Sequence, residues 1–373
     1  MKNRSKSPLL LGAAAILALG ACQQLSNAGT AVSNDPAAAA QGAPTLAAAD
    51  ADMQSVLLAL QALGPKPIET LSAEEARRQP TMADAVAKVL ADDGRSAAPE
   101  TMASVRDVSI PGPGGAQPAR IYVPGSARSP LPVIVYYHGG GWVIADLDTY
   151  DASARALANQ AGAIVVSAGY RKGPESKFPT AHEDALAAYR WTQVNAGQFG
   201  GDPDRIAVAG ESAGGSMAIG VSRMAREQGL QPPVHQVLIY PVAGNDIETE
   251  SYREQANAKP LNKAMMAWFF DKYLRSPRDG NNPLINVVDA PDLAGLPPTT
   301  IVTAELDPLR SEGELLARRL RNAGVEVASN SYEGVTHEFF GAAPVVEKAK
   351  EAQSYVAGRL REAFVGGSAG SGS

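Results

Sequence analysis

The sequence predicts an α/β protein built on a doubly wound, mostly parallel sheet flanked by helices. Three observations carry that expectation. Short apolar runs recur along the chain: "PVIVYY" (132–137), "AIVVSA" (163–168), "RIAVAG" (205–210), "HQVLIY" (235–240), "TTIVTA" (299–304) and "VEVASNSY" (325–332). Runs of that length without polar alternation are what strands buried on both faces look like. Helical stretches separate them, among them "YDASARALANQAG", "AHEDALAAYRWTQVNAGQF" and "SEGELLARRLRNAG", and strand–helix alternation implies crossover connections in a parallel sheet. Finally, 373 residues that are 45% hydrophobic and 19% charged suffice for a large core.

Taken in order, the chain opens with Lys2, Arg4 and Lys6, an apolar run from Leu9 to Leu19, then Gly20 and Ala21. This is the pattern of a signal peptide over 1–21, too short and wrongly flanked for a spanning helix. Cys22 is the chain's one cysteine, which excludes an intrachain disulfide. The stretch Leu19-Gly20-Ala21-Cys22 resembles a bacterial lipobox, in which the cysteine becomes the mature N-terminus and carries lipid. That resemblance implies lipidation of Cys22 and an exported, membrane-anchored protein, since two or more acyl chains hold far more firmly than one. Gln23 after the cysteine implies outer-membrane sorting, facing the periplasm, in a Gram-negative cell.

Residues 22–46 are Ala- and Gly-rich with no aromatic side chain and read as a flexible tether. Short helices follow over 47–98. "ADMQSVLLALQAL" has helical spacing and stops at Gly64-Pro65. "SAEEARRQ" opens with the capping-box pair Ser72 and Glu75, and "TMADAVAKVLADDG" closes on Gly94. The main domain spans 99–365. It begins with "VRDVSI" and "ARIYVP" flanking "PGPGGAQP", a hairpin pattern. The segment 246–286 breaks the strand–helix rhythm, contains the amphipathic "NKAMMAWFFDKYL", and reads as an insertion above the sheet. The Gly/Ser stretch 366–373 is low complexity and is expected to lie outside the folded domain.

The chemistry is expected at "GESAGG" (210–215). The bare Gly-x-Ser-x-Gly pattern is weak, since "GGSAG" around Ser368 matches it too. Only Ser212, however, has a strand before it and a helix after it, the context of a nucleophile elbow. The turn is sharp enough to need Gly210 and Gly214, and it holds Ser212 near a helix N-terminus that favours developing negative charge. A serine needs a base and an orienter. His337 stands in "GVTHEFF" just after the last strand, and Asp307 in "ELDPLRSEG" just after the strand 299–304, with Glu305 as the reserve acid. Asp307 then orients His337 and stabilises its imidazolium, while His337 takes the Ser212 proton and returns it to the leaving group. "HGGGW" (138–142) follows another strand end. Its glycines allow close approach, so the N–H groups of Gly139 and Gly140, with that of Ala213, are the expected oxyanion donors. His138 is expected to brace this loop, and His182 and His235 to be structural. Glu211 is either a hydrogen-bonded pin for the elbow or a solvated acid. Trp268, Phe269 and Phe270 either line the acyl pocket or form cap core.

"HGGGW", "GESAGG", "DPLRSEG" and "HEFF", in this order, resemble the hormone-sensitive-lipase-like esterases, an α/β-hydrolase family, over about residues 53–364. "YRKGPESKFP" (170–179) and "NNPLINVV" (281–288) resemble further segments of that family. The resemblance implies an eight-stranded sheet and a cap made of the N-terminal helices plus the 246–286 insertion. It implies carboxylesterase activity on short-to-medium acyl esters, no cofactor, and the same triad and oxyanion residues. Members often pair through sheet edges, which implies a homodimer. The chain departs from the family pattern at Gly169, Lys172, Gly173 and Glu211, positions that shape loops rather than supply reacting groups. A net charge of −6 with no basic stripe excludes a nucleic-acid partner, and no His/Cys/Asp spacing suits a metal. The same machinery also suits amides, lactones or acetylated carbohydrates. A lipoprotein that uses a hydrolase fold only to bind is the reading of another class, and a complete triad argues against it.

Overall fold

The structure, a computed structural model, describes residues 43–125 and 129–366. The signal-peptide pattern, Cys22, most of the tether and Ser368 lie outside the described residues. Among those residues the chain forms one eight-stranded sheet in the order β1-β2-β4-β3-β5-β6-β7-β8. β1 (Ser104–Gly112) and β2 (Gly115–Val123) are the expected hairpin, and β2 also runs antiparallel to β4 (Ile164–Ala168). β3 (Leu131–Tyr137), β5 (Gly201–Glu211), β6 (Gln236–Ile239), β7 (Thr299–Leu306) and β8 (Val327–Thr336) pair in parallel with their neighbours.

β3 is apolar along its whole length because both of its faces are covered. In β3, Val133, Val135 and Tyr137 enter one core and Ile134 and Tyr136 the other. α6 (Thr180–Asn195), α7 (Ala213–Glu227) and α10 (Arg310–Asn322) supply the first core, through Ala185, Met217 and Leu316 for example. α5 (Asp151–Ala161) and α11 (Glu347–Gly366) supply the second, through Leu157 and Val356. The chain passes from β3 to β4 on one side and then to β5 on the other, so the strand order reverses at β3. Ligands of open α/β sheets bind beyond the carboxyl ends of the strands at such a switch point.

Ahead of the sheet lie α1 (Ala43–Ala48), α2 (Ala51–Ala62), α3 (Ala73–Ala76) and α4 (Met82–Asp92). Ser72 and Glu75 form the expected capping box, and Thr81 with Asp84 forms a second. The tether expected to reach residue 46 is helical from Ala43, because Thr45 is buried and Leu46 packs on the second core. The 246–286 insertion contains α8 (Glu250–Glu254) and α9 (Lys263–Tyr273), the latter capped by Asn262, whose Oδ1 accepts from Met265 N at 2.9 Å. The insertion meets the N-terminal segment where Trp268 Nε1 donates to Leu71 O at 3.3 Å. β8 runs four residues past its expected end, carried by a register shift opposite Ala304 and Leu306 that leaves Leu306 opposite Thr336. No helix among the described residues is long and apolar enough to cross a membrane.

Candidate active site

Strand register assembles the site. Thr336 pairs with Leu306, so the next residues of each strand, His337 and Asp307, emerge side by side. Tyr137 pairs with Gly210, which places the "HGGGW" loop beside the "GESAGG" turn. A Cβ on Gly214 would stand 2.0 Å from Tyr137 O, and one on Gly210 would stand 2.1 Å from Gly214 O. Only glycine fits there. Ser212 takes φ +57° and ψ −120°, a conformation that costs a non-glycine residue about 1–3 kcal/mol. Neighbouring bonds hold it: its N–H donates to Ile239 O at 2.9 Å, and its carbonyl accepts from Val242 N at 3.1 Å. The side chain thus stands at the N-terminus of the 15-residue α7, where the backbone dipole favours negative charge.

His337 joins the two other predicted groups. Its Nδ1 lies 2.7 Å from Asp307 Oδ2 and its Nε2 lies 2.9 Å from Ser212 Oγ. A carboxylate on Nδ1 draws the ring proton there and leaves Nε2 as the acceptor facing the serine. Asp307 is fully buried and its other oxygen accepts from Leu309 N at 2.8 Å. Burial pulls the imidazole pKa down. The charge and hydrogen bond of Asp307, with the charges of Glu338 and Glu211, outweigh it, and His337 stands above the ordinary histidine value. Glu305, the reserve acid, is engaged elsewhere: its Oε2 accepts from Gly334 N at 2.7 Å.

The "HGGGW" loop, where the oxyanion donors are expected, is braced from behind. Tyr170 donates to the carbonyls of His138 and Gly139 at 3.0 and 2.9 Å, and its ring stacks on His138 at 4.3 Å. Burial pushes His138 down to about 4, so it is neutral in this role. Among the described residues no protein group accepts from the N–H of Gly139, Gly140 or Ala213. On the outer side a Cβ on Gly141 would meet the Phe269 ring at 2.2 Å, so α9 sits directly on the loop. Trp268 is buried against the N-terminal segment, and Phe270 lies 6.2 Å from the Trp142 ring. Phe269 and Phe270 thus both meet the "HGGGW" loop, Phe269 at Gly141 and Phe270 at Trp142.

His182 and His235 are both pushed down to about 4 by burial, and they bond to Tyr273 and Thr300 at 3.0 and 2.8 Å. Lys172 donates to Ala145 O, and a Cβ on Gly173 would stand 2.8 Å from Lys272 O. Both departures from the family pattern therefore shape loops around the site. Glu211 is buried and hydrogen-bonded, which decides between its two readings. Sequence reasoning missed its partners Tyr136 and Tyr240 and the neighbouring pair Tyr150 and Glu338. The available signal was a tyrosine at or just past the carboxyl ends of β3 and β6. No group of three or more His, Cys, Asp or Glu among the described residues is placed to hold a metal.

The family profile of the α/β-hydrolase fold matches residues 134–341. The chain is 42% identical over 250 residues to carboxylesterase NlhH of Mycobacterium tuberculosis, covering 66% of this chain and 78% of that one. It is 34% identical over 300 residues to the ethyl acetate hydrolase of Pseudomonas putida, covering 79% and 92%. Among solved structures, the hyperthermophilic esterase of Pyrobaculum calidifontis superposes with a TM-score of 0.74 at 38% identity, covering 82% of this chain and 97% of that one.

Proposed function

The chain belongs to the α/β-hydrolase fold family, in its hormone-sensitive-lipase-like branch, and from that premise we propose a serine carboxylesterase that cleaves short-to-medium acyl esters. The observation that carries the mechanism is the hydrogen-bonded chain from Ser212 through His337 to Asp307 on a strained elbow. His337 Nε2 takes the proton as Ser212 Oγ attacks the ester carbonyl. The resulting oxyanion is met by the N–H groups of Gly139, Gly140 and Ala213. The imidazolium gives its proton to the departing alcohol, leaving an acyl-enzyme. Water, activated by the same imidazole, then hydrolyses the acyl-enzyme and frees Ser212.

Hydrolysis of nitrophenyl esters from acetyl to palmitoyl, wild type beside Ser212→Ala, tests this. A rate peaking at short chains and reduced on the order of 10⁶-fold in the variant is expected. Retained turnover in Ser212→Ala refutes the nucleophile, and a peak at long chains refutes the acyl range.

The lipobox resemblance around Cys22 supports an exported enzyme, lipid-anchored to the cell envelope. Metabolic labelling with palmitate should mark the wild type and not Cys22→Ser; an unlabelled wild type removes the anchor. The family's sheet-edge pairing supports a homodimer, for which a sedimentation coefficient of two chains is the expected reading and that of one chain the contrary.

A further inference from the structure

Behind the triad lies a second buried acid that the steps above do not use. Glu211 immediately precedes Ser212 and is buried. Its Oε1 accepts from the Tyr136 hydroxyl at 2.5 Å, and its Oε2 accepts from the Tyr240 hydroxyl. Two hydroxyls donating to two oxygens is the pattern of an ionised carboxylate held by charge-assisted bonds. An unpaired charge at this depth would be too costly to keep.

Tyr240 connects this acid to the histidine. It takes φ +35°, and its N–H donates to Val302 O at 2.6 Å. Its ring centroid lies 4.6 Å from that of His337, inclined at 51°. A neighbouring tyrosine closes the cluster. The Tyr150 hydroxyl donates to Glu338 Oε1 at 3.1 Å, and a Cβ on Gly139 would stand 2.3 Å from that hydroxyl. Elbow, histidine loop and oxyanion loop therefore meet on three tyrosines and two carboxylates. The charged or titratable groups facing His337 are Asp307, Glu338, Glu211 and Tyr240; those facing Glu211 are Tyr136, Tyr240, Tyr150 and Glu338, with Ser153 beside them. Burial, with the nearby charge of Glu338, holds Glu211 above the ordinary carboxylate value, while the bonds from Tyr136 and Tyr240 pull against that and favour the ionised form.

We propose that Glu211 is a second carboxylate for the reaction: a positioning residue that holds His337 through Tyr240, and whose negative charge supports the imidazolium formed when Ser212 gives up its proton. The proposal rests on the serine-esterase reading. It assigns the buried acid before the nucleophile an electrostatic role that a mere pin for the turn would not have.

The test is an NMR pH titration of the full-length protein labelled in histidine. The chain has four histidines, and loss of one signal in His337→Asn identifies the resonance. In Glu211→Gln the His337 pKa should fall, because a negative charge that favours the imidazolium is gone. The acid limb of kcat/KM should move to lower pH with it, while kcat drops roughly tenfold or more and KM is kept. Tyr240→Phe keeps the ring and frees the carboxylate, and should move kcat in the same direction. Glu211→Asp retains the charge and should restore much of the pKa. An unmoved His337 in folded Glu211→Gln overturns the proposal. Should Glu211→Gln lose its native histidine spectrum, Tyr240→Phe decides: a shifted His337 supports the coupling, and a wild-type titration and kcat overturn it. Ester turnover by the wild type separates the two readings. An inert wild type with a shifting His337 removes the esterase assignment and leaves the coupling. An active wild type with a fixed His337 removes only the second carboxylate.

Discussion

Asp307 and Glu305 stand two residues apart and have separate tasks. Asp307 reaches Nδ1 of His337, whereas Glu305 binds Gly334 N in the approach to the histidine loop. Asp307→Asn should therefore cost about 10⁴ in kcat, the consequence of a wrong imidazole tautomer. Glu305→Gln should cost far less; the reverse order in steady-state kinetics would exchange the two roles. Glu312 makes a prediction about stability instead. It is buried, one oxygen accepts from the N–H groups of Ala243 and Gly244, and the other has no partner among the described residues. Burial, which those two bonds oppose, pushes it up to about 8, helped by the nearby charges of Asp307 and Asp246. The folded state then binds a proton that the unfolded state has released, so stability is full below about pH 4.5 and is lost as pH rises toward 8. Glu312→Gln keeps an acceptor for the two N–H groups and should flatten that decline in urea melts between pH 5 and 8. A variant that declines as steeply as wild type would place the proton elsewhere.

At the scale of elements, glycines and caps dictate which turns form. The turn between β5 and α7 closes only because Gly214 lets Tyr137 O approach within 2.0 Å of where a Cβ would stand. Gly214→Ala should cost at least 1–3 kcal/mol, the usual range for overpacking, together with activity. An unchanged melting temperature would mean that the elbow is looser than described. The N-terminal helices grip the histidine loop at both ends. Asp50 N donates to Gly334 O at 2.8 Å, and Asp52 Oδ2 accepts from Glu347 N, the first residue of α11, at 2.8 Å. Asp52→Ala should cost about 0.5–2 kcal/mol, as loss of a helix cap does. A thermal melt identical to wild type would remove that role. The helices themselves were legible, because helical spacing and stop signals such as Gly64-Pro65 are local. The cap that α2 lends to α11 was not, because Asp52 and Glu347 meet only in the folded chain.

Among the described residues the inner strands β3 to β7 were readable from their apolar runs, since burial on both faces imposes that composition on the strand itself; β8 departs from that expectation, because it is an edge strand whose Ser329, Asn330 and Ser331 are exposed. Strand order was not readable, since nothing within β3 states that β4 and β5 flank it. The hydrogen-bonded chain of Ser212, His337 and Asp307 was legible because each of the three sits at a strand end that the pattern had already marked. The tyrosine cluster around Glu211 stayed hidden, because a tyrosine in a buried run looks like any other core aromatic until its hydroxyl finds a partner. For the whole enzyme, the raised His337 pKa sets the working range. Activity should climb as pH rises through a value above the ordinary histidine pKa of 6.5, because the base must be neutral to act. A pH–rate profile whose acid limb lies below that value would contradict the environment described for His337.

The central claim is that Ser212 is the activated nucleophile of this fold. Fluorophosphonate labelling of the purified protein, followed by peptide mapping, tests it most directly. One adduct per chain is expected, on Ser212 rather than Ser368, with esterase activity falling in step with labelling. Folded, active protein whose Ser212 stays unlabelled, or which carries its adduct on another serine, would contradict it.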